Sequence, residues 1–253
     1  MPSGAKQIRI DYQHSTNPKR VVYFPSCINR SMGVSKEYHK DVQLTKKTEQ
    51  LIHKAGLKKS AELETALRKA CNNGEYPILC DMSPCLYTMK ENIDTTMKMY
   101  EPAEFILKYL VPELKITPID ETISVFPVCS IKKMGLEDSL IDLAKLCATR
   151  VIVPESNCCG FAGDKGFTFP ELNKHGLRNL KVQLPLEVRN GYSTSRTCEI
   201  GLSLHSQISY KSIIYIVDQV SKPKKANQTF FFLNHFSRYS NSHSIHSSPK
   251  TTC

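Results

Sequence analysis

Four cysteines define the chemistry open to this chain: Cys129, Cys158, Cys159 and Cys198. Adjacent cysteines cannot close an ordinary disulfide with each other without strain. On an irregular backbone, Cys158 and Cys159 can instead present two thiolates to a metal, or to two neighbouring irons. Gly160 and Gly163 supply the backbone freedom for a close wrap. Four thiolates match either a tetrahedral zinc site or an iron–sulfur cluster, and thiolate softness does not choose between them. The Asn and Gly flanks of Cys158–Cys159 are loop chemistry rather than core. By contrast Cys147, on an apolar helix face, reads as a small buried hydrophobe. So do Cys71, beside Asn72–Asn73–Gly74, and Cys253. Cys80, which ends the apolar run PILC, also reads as core.

The elements that must position these thiols come from an internal repeat. Phe24, Pro25, Cys27, Met32 and Gly33 match Phe126, Pro127, Cys129, Met134 and Gly135 in a Phe-Pro-x-Cys-x4-Met-Gly pattern. Each copy opens as a short Val- and aromatic-rich run, the mark of a buried strand, with its Cys where the strand ends. A helical pattern follows each: Lys36 to Lys54, and Glu137 to Cys147 with Leu140, Leu143, Ala144 and Cys147 on one face. A second pairing closes each half, PILCDMSPC ending at Cys85 and NGYSTSRTC ending at Cys198, with helical stretches predicted at 95–110 and 207–220. Val151, Ile152, Val153 and Pro154 read as a strand that delivers Cys158–Cys159–Gly160 onto a loop.

Strand, Cys loop, helix, repeated, predicts an α/β fold of two units with mainly parallel sheets. Such folds place their chemistry at the carboxyl ends of the strands. The predicted layout is a linker at 1–20, a first cysteine-rich unit at 21–110, a second at 111–221 and a basic tail at 222–253. The tail is rich in Ser, Asn, His and Lys without period, so disorder is expected there. The first unit has no counterpart of VIVPESNCCGFAGDKGF between its cysteines and reads as internally truncated.

The net charge is +10. Residues 1–20 carry +3, the stretch after Asp218 carries +5, and the body between them only +2, so the excess sits at the ends. A nearly neutral body with basic ends is a poor nucleic-acid binder, and no nucleic-acid partner is expected. No run approaches the ~20 apolar residues that span a bilayer, and the start of the chain lacks the apolar region of a signal peptide. A reducing, cytoplasmic compartment is therefore expected, in which ten cysteines favour metal or redox chemistry over disulfides. Gly160–Gly163–Lys165 is only a faint phosphate-loop echo, and no G-x-G-x-x-G, G-x-S-x-G or H-E-x-x-H is present. No acid–base pair is evident either, so the chain is not read as a self-sufficient enzyme.

At FPSCINRSMG, CDMSPCLYTMKEN, FPVCSIKKMG, CCGFAGDKGF and GYSTSRTCEIGLS the sequence resembles the cysteine-rich CCG domain of the heterodisulfide reductases and of the glycolate oxidase iron–sulfur protein. It looks most like the C-terminal iron–sulfur part of bacterial FAD-linked D-lactate dehydrogenases, over residues 1–221. The resemblance implies an electron-transfer module of a D-lactate or 2-hydroxy-acid dehydrogenase. Its cofactor would be an iron–sulfur cluster, or alternatively zinc, held by Cys129, Cys158, Cys159 and Cys198, with Cys27 and Cys85 in the first unit. FAD would belong to a partner domain or chain. The implied partners are that flavoprotein, a ferredoxin-type cluster domain, and a quinone or cytochrome acceptor, with at most peripheral contact on the inner face of the membrane. The pattern is incomplete: Ser195 and Met82 stand where the family has the first cysteine of C-x-x-C, and the first unit lacks Cys-Cys-Gly. These departures fit either a fragment of a longer dehydrogenase or a separate accessory subunit; the alternative function is a structural zinc domain without redox activity.

Overall fold

The computed structural model describes residues 20–24, 26, 29, 42–54, 58–60, 67, 71, 72, 74–92, 97–156, 158–163 and 165–224. The first unit runs β1 (Arg20–Phe24), α1 (Leu44–Lys54), β2 (Lys58–Ser60), β3 (Ile78–Cys80), α2 (Ser83–Asn92) and β4 (Met99–Tyr100). Its four strands are all parallel, in the order β2-β1-β3-β4. A connector follows: α3 (Pro102–Phe105), a π-helical turn (Ile106–Leu110), a 3-10 turn (Val111–Glu113) and β5 (Leu114–Ile116).

The second unit runs β6 (Ile119–Val125), α4 (Cys129–Met134), α5 (Glu137–Cys147), β7 (Ala148–Ile152), α6 (Lys165–Thr168), α7 (Pro170–Gly176), β8 (Asn190–Ser193), α8 (Arg196–Ser206), β9 (Ser209–Ser212), α9 (Ile213–Val220) and β10 (Ser221–Pro223). Its parallel sheet has the order β7-β6-β8-β9. Counted within each unit, both sheets have the order second-first-third-fourth. The repeat read from the sequence is thus a repeat of topology, and the fold is α/β with mainly parallel sheets. The exception is β10, which pairs antiparallel with β5.

The repeated motif has a local physical account in its second copy. Val125 and Phe126 are buried at the end of β6, and Cys129 is the first residue of α4. Gly135 ends that helix at φ +68°, donating its N–H to the Ile131 and Lys132 carbonyls. This left-handed cap suits Gly, which has no Cβ to clash. Helix α5 starts and stops where its pattern predicts, with Leu140, Leu143, Ala144 and Cys147 buried, Glu137 and Asp138 in the first turn and Lys145 in the last.

The missing middle of the first unit is the connection after its second strand. Residues 61–77 join β2 to β3, whereas 153–189 join β7 to β8 and carry the Cys-Cys-Gly segment, α6 and α7. Cys27 and Cys253 lie outside the described residues, as does the tail from 225; the chain is followed to Lys224, three residues beyond the expected end of the second unit.

Three element assignments differ from expectation. The helix predicted over 95–110 is preceded by β4 and starts at Pro102, capped by Glu101, whose carboxylate accepts from the Ala103 N–H. Two strand residues are too few to leave a period of two. Likewise 207–220 begins as strand β9, whose Ser209–Tyr210–Lys211–Ser212 is too polar for an apolar-run signal, and only α9 is helical. The strand sought at Val151–Pro154 lies at Ala148–Ile152 instead. It follows Cys147 directly, and as an edge strand it keeps Thr149 and Arg150 exposed. In the first unit, the described part of the helix predicted at 36–54 is Leu44–Lys54.

One large core joins the two units: Leu51, Leu79 and Tyr100 belong to the same buried cluster as Phe126, Leu143 and Ile214. A smaller cluster of Cys71, Ile78, Cys80, Leu86, Met97 and Met99 lies within the first unit. Asp218 on α9 ties the units at the surface, accepting from Lys47 at 3.0 Å and Lys54 at 2.8 Å, both on α1.

Candidate functional site

Strand β6 is hydrogen-bonded to β7 on one side and β8 on the other. The segments leaving the carboxyl ends of these three strands carry the four predicted cysteines. Cys129 opens α4 after β6, Cys158 and Cys159 lie on the loop after β7, and Cys198 is the third residue of α8 after β8. Cys159 and Cys198 are 3% and 6% exposed, and the Cys159 thiol donates to Cys198 Sγ at 2.7 Å. Cys158 is half-buried and Cys129 exposed. The Cys158 sulfur is hydrogen-bonded with Cys129 and with Cys159, and also accepts the Gly160 N–H at 3.3 Å.

The four sulfurs therefore form one contiguous group, and the protons within it are unequally held. Hydrogen bonding with Cys129, and then with Cys159, holds the Cys158 thiol well below its usual range, against the opposing effect of burial. The same contacts act in reverse on the two partners. Cys129 is raised, first by its hydrogen bond with Cys158 and then by burial, and Cys159 is raised first by its bond to Cys158 and then by that to Cys198.

The loop that presents Cys158 and Cys159 is clamped at several points. Gln183 bonds Glu155 twice, accepting from its N–H at 2.6 Å and donating to its carbonyl at 3.2 Å. Lys132 on α4, one turn after Cys129, donates to the Ser156 carbonyl at 3.0 Å and so fixes the loop relative to Cys129. Asn173 on α7 donates to the Cys159 carbonyl. The same Asn173 lies over Gly201 of α8, where an added Cβ would meet its side chain at 2.3 Å. Helix α7 is thus the spacer that seats the loop against the helix bearing Cys198.

Four thiolates are the right donors, in kind and number, for zinc or an iron–sulfur cluster. Their spacing is tighter than a metal requires: tetrahedral zinc with Zn–S of about 2.3 Å separates its sulfurs by about 3.8 Å, against the 2.7 Å between Cys159 and Cys198. Among the described residues no three His, Cys, Asp or Glu side chains are already spaced to hold a metal ion. Rotation of the cysteine side chains about otherwise fixed backbone would have to open the group. Two hydroxyls beside it, Ser130 Oγ next to Cys129 and Ser195 Oγ three residues before Cys198, are buried without a hydrogen-bond partner.

Cys85 holds the position in α2 that Cys198 holds in α8, the third residue, but it packs on the first unit's small cluster rather than with the four thiols. Met82, at the position of Ser195, is buried. Cys147, Cys71 and Cys80 are buried, as their surroundings in the sequence suggest.

A buried polar seam between the units is absent from the sequence reading. Ser83, at the start of α2, bonds Thr194 at the end of β8 through their hydroxyls at 2.6 Å, and donates to Glu101 at 3.0 Å. Asp81 accepts from the Tyr23 hydroxyl and the Ser26 N–H, both at 2.7 Å. Burial raises Asp81, and lifts Glu101 and Glu199 to about 7, the last against the pull of Arg196. The one signal in the sequence is Asp81 itself, an acid placed directly at the end of a buried strand.

No protein-family model matches the chain, and no curated protein matches it in sequence. Among solved structures, glutamate racemase isoform RacE1 from Bacillus anthracis aligns with 80% of this chain and 79% of its own, at 8% identity and a TM-score of 0.34. A likeness that distant carries no argument, and the functional reading rests on the cysteine motifs and their geometry.

Proposed function

We propose that this chain is the cysteine-rich electron-transfer module of an FAD-linked D-lactate or other 2-hydroxy-acid dehydrogenase system, with Cys129, Cys158, Cys159 and Cys198 as ligands of an iron–sulfur cluster. The observation that carries the reading is the convergence of these four thiols from the ends of three adjacent parallel strands. Bound there, a cluster supplies one-electron storage between a flavin donor and a quinone or cytochrome acceptor. The chain's own part is to hold the ligands. Lys132 and Gln183 fix the Cys158–Cys159 loop, Asn173 spaces it from α8, and α4 and α8 carry the outer two thiols. Burial of Cys159 and Cys198 restricts water at one side of the site, while exposed Cys129 leaves the other side open to a partner. In this reading the flavin and a ferredoxin-type cluster domain lie on a partner domain or chain. The location is cytoplasmic, with at most peripheral contact on the inner face of the membrane; among the described residues no helix is long and apolar enough to cross one.

The test is anaerobic expression followed by iron, zinc and acid-labile sulfide analysis, with EPR of oxidised and reduced protein. Iron and sulfide near stoichiometry with a redox-responsive signal support the relay. One zinc per chain and no EPR signal replace it with a structural zinc domain, and neither metal removes both readings.

A further inference from the structure

We infer that the segment from Lys165 to Leu186, which carries α6 and α7, is the face by which the chain docks on an anionic lipid bilayer. The inference rests on the proposed reading only for its peripheral membrane contact, and stands whether or not a cluster is bound.

The exposed apolar side chains gather on this segment. Of the eight large hydrophobic residues that stand exposed among the described residues, five lie on it: Phe167, Phe169, Leu172, Val182 and Leu186. Val182 and Leu186 are 84% and 92% exposed, so the fold gives them almost no cover. The inner side of the segment is set by Asn173, Leu177 and Leu180, which recur at helical spacing and are buried. The Leu177 N–H donates to the Asn173 carbonyl at 3.1 Å and the Leu180 N–H to the Leu177 carbonyl at 3.0 Å, which carries the turns of α7 onward. Asn173, on this inner side, also holds the Cys159 carbonyl, so attachment by the outward side sets the thiol loop next to the bilayer.

Charge names the occupant. Lys165, Lys174, Arg178 and Lys181 are all exposed, and among the described residues none of them pairs with a carboxylate. The one acid within the segment is Glu171, and Glu187, next along, faces Arg150 at 3.5 Å. The segment therefore carries +3 in a body, residues 21–218, whose total is +2. Apolar patches rimmed by polar groups meet either a protein or a membrane. Protein interfaces are depleted in Lys. A bilayer surface instead takes apolar side chains into its headgroup boundary and draws Lys and Arg to its phosphates. Three of the four cations here are Lys, so the composition fits anionic lipid.

The full chain is sedimented with vesicles of equimolar phosphatidylcholine and phosphatidylglycerol, and with vesicles of phosphatidylcholine alone. Binding is expected to the anionic vesicles, at least about 10-fold weaker to the neutral ones, and reduced by added salt. Val182→Asp and Leu186→Asp, at positions with little contact to lose, are each expected to weaken binding at least about 10-fold. Lys174→Gln and Lys181→Gln are each expected to weaken it about 5-fold. Lys115→Gln, an exposed cation on β5 outside the segment, is expected to leave it unaltered. Circular dichroism of each variant shows whether it is folded. Undiminished binding by the Val182→Asp and Leu186→Asp chains would place the attachment in the basic ends and overturn the inference, as would equal binding to both vesicles or to neither. A dimer that these two variants abolish, without vesicle binding, would assign the face to a second copy and overturn it too. Iron and zinc in the same preparation are measured in parallel. Vesicle binding without metal overturns the metal reading alone, and metal without vesicle binding overturns this one alone.

Discussion

The carbonyl oxygen of Leu172 lies 2.2 Å from the point that a Cβ on Gly160 would occupy. Gly160 is also at φ +70°, in the left-handed region. The Gly of the Cys-Cys-Gly motif is thus required twice, by conformation and by the close approach of α7. Gly160→Ala is expected to cost roughly 2–5 kcal/mol, from left-handed strain together with overpacking. Gly163, at φ +77° with open space around it, isolates the first cost: Gly163→Ala is expected to lose about 1–2 kcal/mol. Urea denaturation of both variants measures the difference, and equal losses would show that α7 yields to the new methyl group.

Cys159→Ser is expected to lose most bound metal, whereas Cys147→Ser keeps it and loses about 1–3 kcal/mol of stability. The second effect comes from burying a hydroxyl on an apolar helix face that offers it no designed partner. Metal analysis paired with thermal melts separates the two, and equal metal retention would remove Cys159 from the ligand set.

Metal loading must displace the protons that Cys129 and Cys159 hold against Cys158. Zinc titration in weakly buffered solution near neutral pH is expected to release at least two protons per ion. Affinity should therefore rise steeply with pH, and calorimetry in buffers of different ionisation enthalpy gives the count. Release of none would mean that the thiols are not the ligands.

Burial alone would raise Asp218, but hydrogen bonds from Lys54 and Lys47 outweigh it and hold the carboxyl below its ordinary value. A carboxyl depressed in the folded state stabilises above its unfolded value of about 3.9, and that contribution fades as pH falls through the folded value. Asp218→Asn is expected to cost about 1–2 kcal/mol at pH 7, since the pair is partly solvent-screened. The gap from the parent chain should narrow below about pH 4, as read from denaturation midpoints at pH 3 and 7.

Glu101 works in the opposite sense. Its folded-state value of about 7 lies above the unfolded one, so the fold keeps a proton that the unfolded chain gives up. The stability this proton confers is whole below about pH 4.3 and is lost as pH rises towards 7, by roughly 3 kcal/mol. Glu199 adds a decline over the same range. Glu101→Gln is expected to flatten that slope between pH 5 and 8 while Ser83 and Thr194 remain joined; an unchanged slope would mean that Glu101 is ionised in the fold.

The sequence displayed what local pattern can encode. The helix Glu137–Cys147 is legible because four apolar residues recur on one face, and the two units because Phe-Pro-x-Cys-x4-Met-Gly occurs twice. The grouping of Cys129, Cys158, Cys159 and Cys198 is legible because each follows a strand signal. Strand β4 was hidden by its length, and β9 by its polar composition. The seam of Tyr23, Asp81, Ser83, Glu101 and Thr194 was hidden for another reason: its partners lie 18 to 111 positions apart in the chain, and the Ser83–Thr194 pair meets only when the two sheets do. Asn173, an ordinary polar residue in sequence, gives no sign that it holds both the Cys159 carbonyl and the surface of Gly201, since the three come together only through the packing of α7 on α8.

The grip of Lys54 on Asp218 spans 164 positions, and it sets a schedule for synthesis. Helix α1 leaves the ribosome well before α9, and the face it turns to α9 has no cover until α9 has followed it. At 5–20 residues per second the wait is about 10–30 s. During that interval Lys47, Lys54 and the apolar side of α1 are open to chaperones, or to another nascent chain. A product that stops short of α9 would carry that exposed face permanently, so the penalty for losing α9 falls on the first unit as heavily as on the second.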